Sequence, residues 1–240
     1  LFTLRMFLTF LEEYPFILAF LLGFIPASVW IWFWLKEDSH PEPVKMLTLS
    51  FLGGMVAVLF VLPVQKLVYY YFSNQETLSF FLWASIEEIF KFAFVYFIAL
   101  RNKYTDEPVD DIIYLIVGAL GFVTFENTLF LTNLVESGNF TGTIINSNLR
   151  FIGASLLHVI SSGTIGICMG LSFYKTRFEK KLFVIAGLII AVILHTSFNL
   201  FIINQIEGNV FFVFGLVWVG IVVLLLLFER VKHVNKPQIS

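Results

Sequence analysis

The sequence is poor in charged residues, in cysteine and in net charge, and each shortage excludes a class of protein or partner. Only 13% of its 240 residues are charged, whereas 58% are hydrophobic. Soluble domains carry about 25% charged residues, so a soluble fold is excluded. The net charge of −2 provides no basic surface for nucleic acid, and the single cysteine, Cys168, cannot form an intrachain disulfide. The expected environment is the lipid bilayer, and nucleic acid is not an expected partner.

The sequence also lacks the short, alternating strands that a membrane β-barrel requires. It has instead seven apolar runs, each long enough to cross about 30 Å of hydrocarbon as a helix. The runs are 15–35, 46–65, 77–100, 112–135, 151–174, 182–206 and 210–228. The sequence therefore predicts an all-α fold, a polytopic membrane helix bundle of about seven transmembrane helices around a central polar cavity. We expect residues 1–240 to form a single integral membrane domain, with an interfacial helix at 1–13.

The distribution of basic residues predicts the orientation of the bundle in the cell membrane. Eleven lysines and arginines follow the first, third, fifth and seventh runs, and three lie on the opposite side. Basic residues accumulate on the cytoplasmic side of membrane proteins, so we expect the N-terminus outside and the C-terminus in the cytoplasm. The eleven are Lys36, Lys45, Arg101, Lys103, Lys175, Arg177, Lys180, Lys181, Arg230, Lys232 and Lys236, and the three are Arg5, Lys66 and Arg150.

Three charged residues lie within the third apolar run: Glu87, Glu88 and Lys91. Each costs about 2.5–3.5 kcal/mol to place in hydrocarbon, so they must face other protein or water. At helical spacing Lys91 lies one turn after both acids and can pair with either. The two acids point about 100° apart, so one can face a cavity while the other pairs with Lys91.

The other strongly polar residues of the apolar runs fall at the same depth as this cluster. Glu126, His158 and His195 each lie about 10–17 Å below the predicted outer boundary, at about 1.5 Å per helical residue. Asn199 follows His195 by one turn on the same helix face, and Asn127 adjoins Glu126. Residues this costly inside a membrane indicate a functional site, although each alone is compatible with a structural ion pair or hydrogen bond.

This inventory suits the activation of a water molecule for amide-bond hydrolysis, and two arrangements remain open. In the first, a buried glutamate acts as general base, and histidine and asparagine donate to the oxyanion. In the second, Glu126, His158 and His195 bind a divalent metal such as zinc and leave a fourth position for water. Lys91 beside the acids favours the first arrangement, in which no cofactor is needed.

Four motifs resemble those of the PrsW family of intramembrane proteases, which is related to the CAAX prenyl endopeptidases. The resemblance covers roughly residues 30–205 and agrees in order, spacing and placement on helices. The motifs are Glu87-Glu88-x-x-Lys91, Gly121-Phe122-x-x-x-Glu126-Asn127, His158 with Ser161-Ser162-Gly163, and His195-x-x-x-Asn199. The prenyl endopeptidases have histidine at the position of Glu126, so the role of that residue does not transfer directly.

The resemblance implies catalytic roles and a substrate. It implies Glu87 as general base, Glu88 as its partner, and His158, His195 and Asn199 around the water and the oxyanion. Lys91 and Asn127 then support these residues. It also implies a single-pass membrane protein as substrate, an anti-sigma factor that is cut near the outer face.

Two other functions are compatible with buried acids and histidines. One is a non-catalytic membrane scaffold, although such a protein would not need all four motifs. The other is an ion-coupled transporter, a class that often shows inverted repeats and interrupted helices. No internal repeat is visible in this sequence, which favours the protease.

Overall fold

A computed structural model describes residues 14–136, 140–204 and 210–235, and gives only the backbone for 140–152, 202–204 and 210–213. The interfacial helix expected at 1–13 lies outside these residues. The described parts form seven α-helices and no β-strand, which confirms the predicted all-α fold. The helices are α1 (Pro15–Glu37), α2 (Val44–Phe72), α3 (Glu76–Val95), α4 (Asp110–Glu136), α5 (Phe140–Leu171), α6 (Arg177–Asn204) and α7 (Val210–Lys232).

Six of these helices are long and apolar enough to cross a membrane, and α3 is the exception. Its 20 residues include the three charged residues that the sequence placed inside an apolar run. A π-helical turn, Tyr96–Leu100, extends α3 at its C-terminal end. The polytopic membrane bundle is thus confirmed, with its charge concentrated in one helix.

Helix α4 lies at the centre of the bundle. In the segment that could span the membrane, 83% of its residues are buried, against 17% in α1. It packs against α1, α2 and α5, while α5 also contacts α6 and α7. Helix α3 packs between α2 and α6. The outer helices therefore expose apolar side chains to lipid. The polar interior lies among α3, α4, α5 and α6.

Glycines allow the central helix to approach its neighbours closely. A Cβ added at Gly54 of α2 would overlap the backbone carbonyl of Gly118 in α4. One added at Gly166 of α5 would lie 2.6 Å from the Cα of Ile112. Small residues at such crossings bring helix backbones together, which is how membrane helices gain van der Waals contact.

A group of polar contacts joins two linkers to the N-terminal end of α4. Tyr114 donates a hydrogen bond to Glu42, which lies just before α2. Asp110 accepts hydrogen bonds from the backbone N–H groups of Asp106 and Glu107, at 2.8 and 2.7 Å. Burial raises the pKa of Glu42 above its ordinary value. These contacts fix the 38–43 and 101–109 linkers to the start of α4.

Candidate active site

Glu88 connects three helices through its carboxylate. Its side chain is fully buried, and its Oε1 accepts hydrogen bonds from Lys91 Nζ at 2.5 Å and from His195 Nδ1 at 2.7 Å. Ser162 of α5 donates to the other oxygen at 3.4 Å. Both oxygens are occupied, so Glu88 neutralises Lys91 and orients His195.

Glu87, one residue earlier, has one occupied and one open oxygen. Gln65 of α2 donates from Nε2 to Glu87 Oε1 at 2.7 Å. The indole N–H of Trp83 donates to the backbone carbonyl of Gln65 at 3.2 Å and holds that residue in place. Among the described residues, Glu87 Oε2 is buried without a hydrogen-bond partner. It lies 3.6 Å from His195 Nε2.

The contacts of the two histidines define which ring nitrogens are open. A carboxylate can only accept, so His195 directs an N–H from Nδ1 toward Glu88, and in the neutral ring its Nε2 is an acceptor. Lys91 Nζ donates to His158 Nδ1 at 2.8 Å, so His158 donates from Nε2 to Glu126 Oε2 at 3.2 Å. Two open acceptors, Glu87 Oε2 and His195 Nε2, therefore face each other.

Aromatic rings enclose this group. The ring centroids of His158 and His195 lie 5.1 Å apart, and Phe122 packs 5.5 Å from His158. Lys91 Nζ lies 5.1 Å above the same Phe122 ring. This packing excludes water from the buried side of the cluster and strengthens its electrostatic interactions.

The structure brings together five of the residues singled out from the sequence. They come from the four helices expected to share one depth, and they are Glu87, Glu88, Glu126, His158 and His195. The side chain of Glu126 is 32% exposed, so the cluster opens at this residue. Asn199 lies one turn after His195 and is partly buried. Asn127 is buried and lies at the contact of α4 with Gly23 of α1.

Two contacting residues, Gln65 and Trp83, were missed in the sequence. Gln65 stood at the end of the second apolar run, where it resembled a boundary residue. Helix α2 continues to Phe72, so Gln65 instead lies within the helix at the level of Glu87. A polar amide that lies within a membrane helix was the available signal.

The residues that could hold a metal ion differ from the expected set. The ligand atoms of Glu87, His158 and His195 lie within 4.8 Å of one another. The sequence had suggested Glu126 as the carboxylate, whereas this group contains Glu87; Glu126 Oε2 lies 3.2 Å from His158 Nε2. The reason is geometric, because His195 Nε2 points toward Glu87 on α3.

This set fits a divalent cation. One carboxylate and two imidazoles are donors that zinc prefers, and the unpartnered Glu87 Oε2 is a buried acceptor that a cation would satisfy. His158 would have to exchange its Nε2–H hydrogen bond to Glu126 for the ion, because its Nδ1 accepts from Lys91. Glu88 stands behind His195 as the carboxylate that orients a ligating histidine. From the sequence, the positive charge of Lys91 was expected to disfavour a nearby cation. Glu88 neutralises this charge, because its Oε1 lies 2.5 Å from Lys91 Nζ.

Fold and site together define a multi-pass membrane protein with a buried acid–histidine centre of the kind that hydrolytic enzymes use. The model of the PrsW family of intramembrane metalloproteases matches residues 42–228. The chain belongs to this family. The membership confirms the class predicted from the four motifs, an intramembrane protease that acts on membrane substrates.

Relatives with the name Protease PrsW agree with this assignment. The chain is 32% identical over 156 residues to the protein of Geobacillus kaustophilus, covering 62% of each chain. It is 26% identical to that of Halalkalibacterium halodurans over 85% of this chain and 90% of the relative. For Oceanobacillus iheyensis the identity is 26%, over 90% and 96%. No solved structure matches the chain significantly.

Proposed function

We propose that this chain hydrolyses a peptide bond of a membrane-anchored protein with a water molecule activated by Glu87. The observation that carries the proposal is the pair of open acceptors, Glu87 Oε2 and His195 Nε2, 3.6 Å apart inside the bundle. Two acceptors this close repel each other unless something positive or hydrogen-bearing lies between them. A water molecule placed there donates one hydrogen to each.

Glu87 is the proposed general base. Its Oε1 is held by Gln65, so Oε2 remains directed at the water and at His195. Glu88 fixes the ring of His195 through Nδ1. The base accepts the proton of the water as its oxygen attacks the substrate carbonyl, and general-base assistance of this kind contributes about 10²–10⁴-fold.

The remaining polar residues suit the later proton movements. Asn199, on the same helix face as His195, is the proposed donor to the oxyanion of the tetrahedral intermediate. Glu126 lies at the open side of the cluster and is linked to His158. Glu87 then returns the proton that it took from the water to the departing amine, and we assign to Glu126 a supporting contact with that amine at the open side.

As the alternative to this metal-free arrangement, Glu87, His158 and His195 are the residues that would hold a metal ion, for which we propose zinc; Glu87 Oε2 would then be a ligand and not the acceptor of the water's proton. When bound, a zinc ion supplies Lewis-acid chemistry and makes water nucleophilic near neutral pH. The support is the donor set, whose ligand atoms lie within 4.8 Å of one another, and the family description as metalloproteases.

The proposed substrate is a single-pass membrane protein, anti-sigma-factor-like, cut near the outer face. The charge bias places the start of α3 outside, so Glu87 lies nearer the outer boundary. An apolar cavity of about 400 Å³ lies between α5, α6 and α7. Leu157 and Leu194, the neighbours of the two histidines, line it. We propose that the apolar segment of the substrate enters through this cavity.

Substitution Glu87→Gln tests the base. We expect cleavage of a co-expressed reporter with one membrane segment to fall at least about 10²-fold, because glutamine cannot accept the proton. The matched control is Glu76→Gln, an exposed acid in the first turn of the same helix, which should retain full cleavage. Thermal unfolding in detergent checks that both variants fold. Retained activity in folded Glu87→Gln would remove the base assignment.

Metal analysis tests the ion separately. The zinc arrangement predicts about one zinc per chain in the purified protein, loss of cleavage after chelation, and recovery when zinc is returned. His195→Ala should lower the zinc content. His40→Ala, at an exposed histidine outside the cluster, should not. Full activity in metal-free protein would contradict the zinc proposal and leave the assignment of Glu87 intact.

A further inference from the structure

A second cavity, of about 600 Å³, lies at the basic end of the bundle, away from the acid–histidine cluster. It is formed where the π-helical turn after α3 and the 101–109 linker meet the end of α5 and the start of α6. Three basic residues from the first two turns of α6 line it: Arg177, Lys180 and Lys181. This concentration of positive charge on one cavity wall has no role in the proposed hydrolysis.

The charge of this wall is mostly uncompensated. Asp111, buried at the start of α4, is the one acid that lines the cavity, and the charge of Lys180 acts on it. In the part of the chain that the structure describes, no carboxylate forms an ion pair with Arg177, Lys180 or Lys181. Glu179, on the same helix, instead contacts Lys175 at 3.8 Å and caps the helix through Thr176. An anionic ligand would balance the charge.

The rest of the cavity is suited to a molecule that is apolar at one end. Phe92, Val184 and Ile185 line its membrane-facing part, and the hydroxyl groups of Thr105 and Ser172 lie at the linker end. Lys180 also packs over the ring of Phe173, at 5.1 Å. The cavity thus combines phosphate-binding cations with an apolar wall at the boundary of the membrane.

We propose that this cavity binds the headgroup of an anionic glycerophospholipid, with the phosphate against Arg177 and Lys181 and an acyl chain along the apolar wall. Basic pockets between membrane helices recognise such headgroups, and arginine suits phosphate oxygens in a bidentate manner. A lipid is chosen over free phosphate because the cavity has an apolar wall, which free phosphate would not use.

Binding of short-chain fluorescent phosphatidylglycerol and phosphatidylcholine to the full-length protein in detergent tests the proposal. We expect the parent chain to bind phosphatidylglycerol at least about tenfold more tightly. The variant Arg177→Gln/Lys180→Gln/Lys181→Gln should lose this preference. The matched control Lys45→Gln/Lys103→Gln/Arg230→Gln removes the same charges from exposed positions outside the cavity and should keep it.

Three results of the comparison between the two lipids would overturn the proposal. They are equal affinity of the parent for both lipids, an unchanged preference in the cavity variant, and loss of the preference in the control variant. Displacement by inorganic phosphate at the lipid's own concentration would also overturn it, because the site would then bind phosphate without the lipid. Thermal unfolding of both triple variants confirms that the comparison is made on folded protein.

Discussion

At the scale of residues, two adjacent glutamates have opposite environments. Glu88 is buried with both oxygens hydrogen-bonded, and it faces Lys91, His195 and Ser162. Glu87 keeps one oxygen open toward His195 Nε2. A fully paired carboxylate is a poor proton acceptor, whereas an open one can receive a proton. We therefore propose that the same residue type supports structure at position 88 and chemistry at position 87.

Lys91→Met should strongly destabilise the protein, because it leaves the buried Glu88 charge without its cation. Removing one partner of a buried ion pair costs about 3–5 kcal/mol. We expect a marked fall in the midpoint of thermal unfolding in detergent. The double variant Lys91→Met/Glu88→Gln, which removes both charges, should recover much of the loss. A double variant no more stable than Lys91→Met would contradict the pairing.

Helix spacing alone predicts that the two acids can differ in role but not which acid takes which, and the choice of Glu87 as base came from the family resemblance. The 100° separation follows from helix geometry, and Lys91 lies one turn from both. The choice depends on His195 and Gln65, which come from α6 and α2. For the same reason, the group that could hold a metal ion contains Glu87 where the sequence had suggested Glu126. Contacts between distant segments are not encoded in local spacing.

At the scale of elements, the central helix depends on glycine to fit among its neighbours. The crossing of α2 with α4 brings Gly54 against the carbonyl of Gly118. The backbones meet there, so no flexible side chain can move aside. Gly215 of α7 is different, because nothing lies within 4 Å of an added Cβ there.

This difference gives a matched pair of glycine-to-alanine variants. Gly54→Ala should destabilise the bundle by about 1–3 kcal/mol, because its methyl group overlaps backbone that cannot yield. Gly215→Ala should be neutral or slightly stabilising, since alanine is the better helix former and has space. The measurement is the thermal unfolding midpoint of each variant in the same detergent. Equal midpoints would show that the α2–α4 crossing is looser than described.

The apolar runs predicted all seven helices but not their ends. Helix α2 continues to Phe72, beyond the run that ended at 65, and α5 begins at Phe140 instead of 151. An apolar run marks only the part of a helix that lies in hydrocarbon. Backbone hydrogen bonding continues past the end of such a run, so residues 66–72 of α2 remain helical.

At the scale of the whole molecule, the direction of the bundle in the membrane follows from its charge. The basic linkers and the end of α7 lie on one side, and the 73–75 linker lies on the other. We propose that the basic side is cytoplasmic, which places the start of α3 and the cluster below it toward the outside. A cut near the outer face depends on this orientation.

Cysteine labelling tests the orientation. In a Cys168→Ala background, Ser73→Cys and Lys103→Cys place single thiols at exposed positions on opposite sides. A membrane-impermeant maleimide added to intact cells should label position 73 and not position 103. Both should react after the cells are lysed, which serves as the control. The reverse pattern would invert the proposed orientation and place the cleavage on the cytoplasmic side.

The hydrogen bonds of Glu88 reach residues on α5 and α6, which are far apart along the chain. During synthesis His195 leaves the ribosome long after Glu88, so the nascent polypeptide has no complete centre until α6 has been inserted. We expect translation products that end before α6 to lack cleavage activity. The proposed proteolysis would therefore begin only late in assembly.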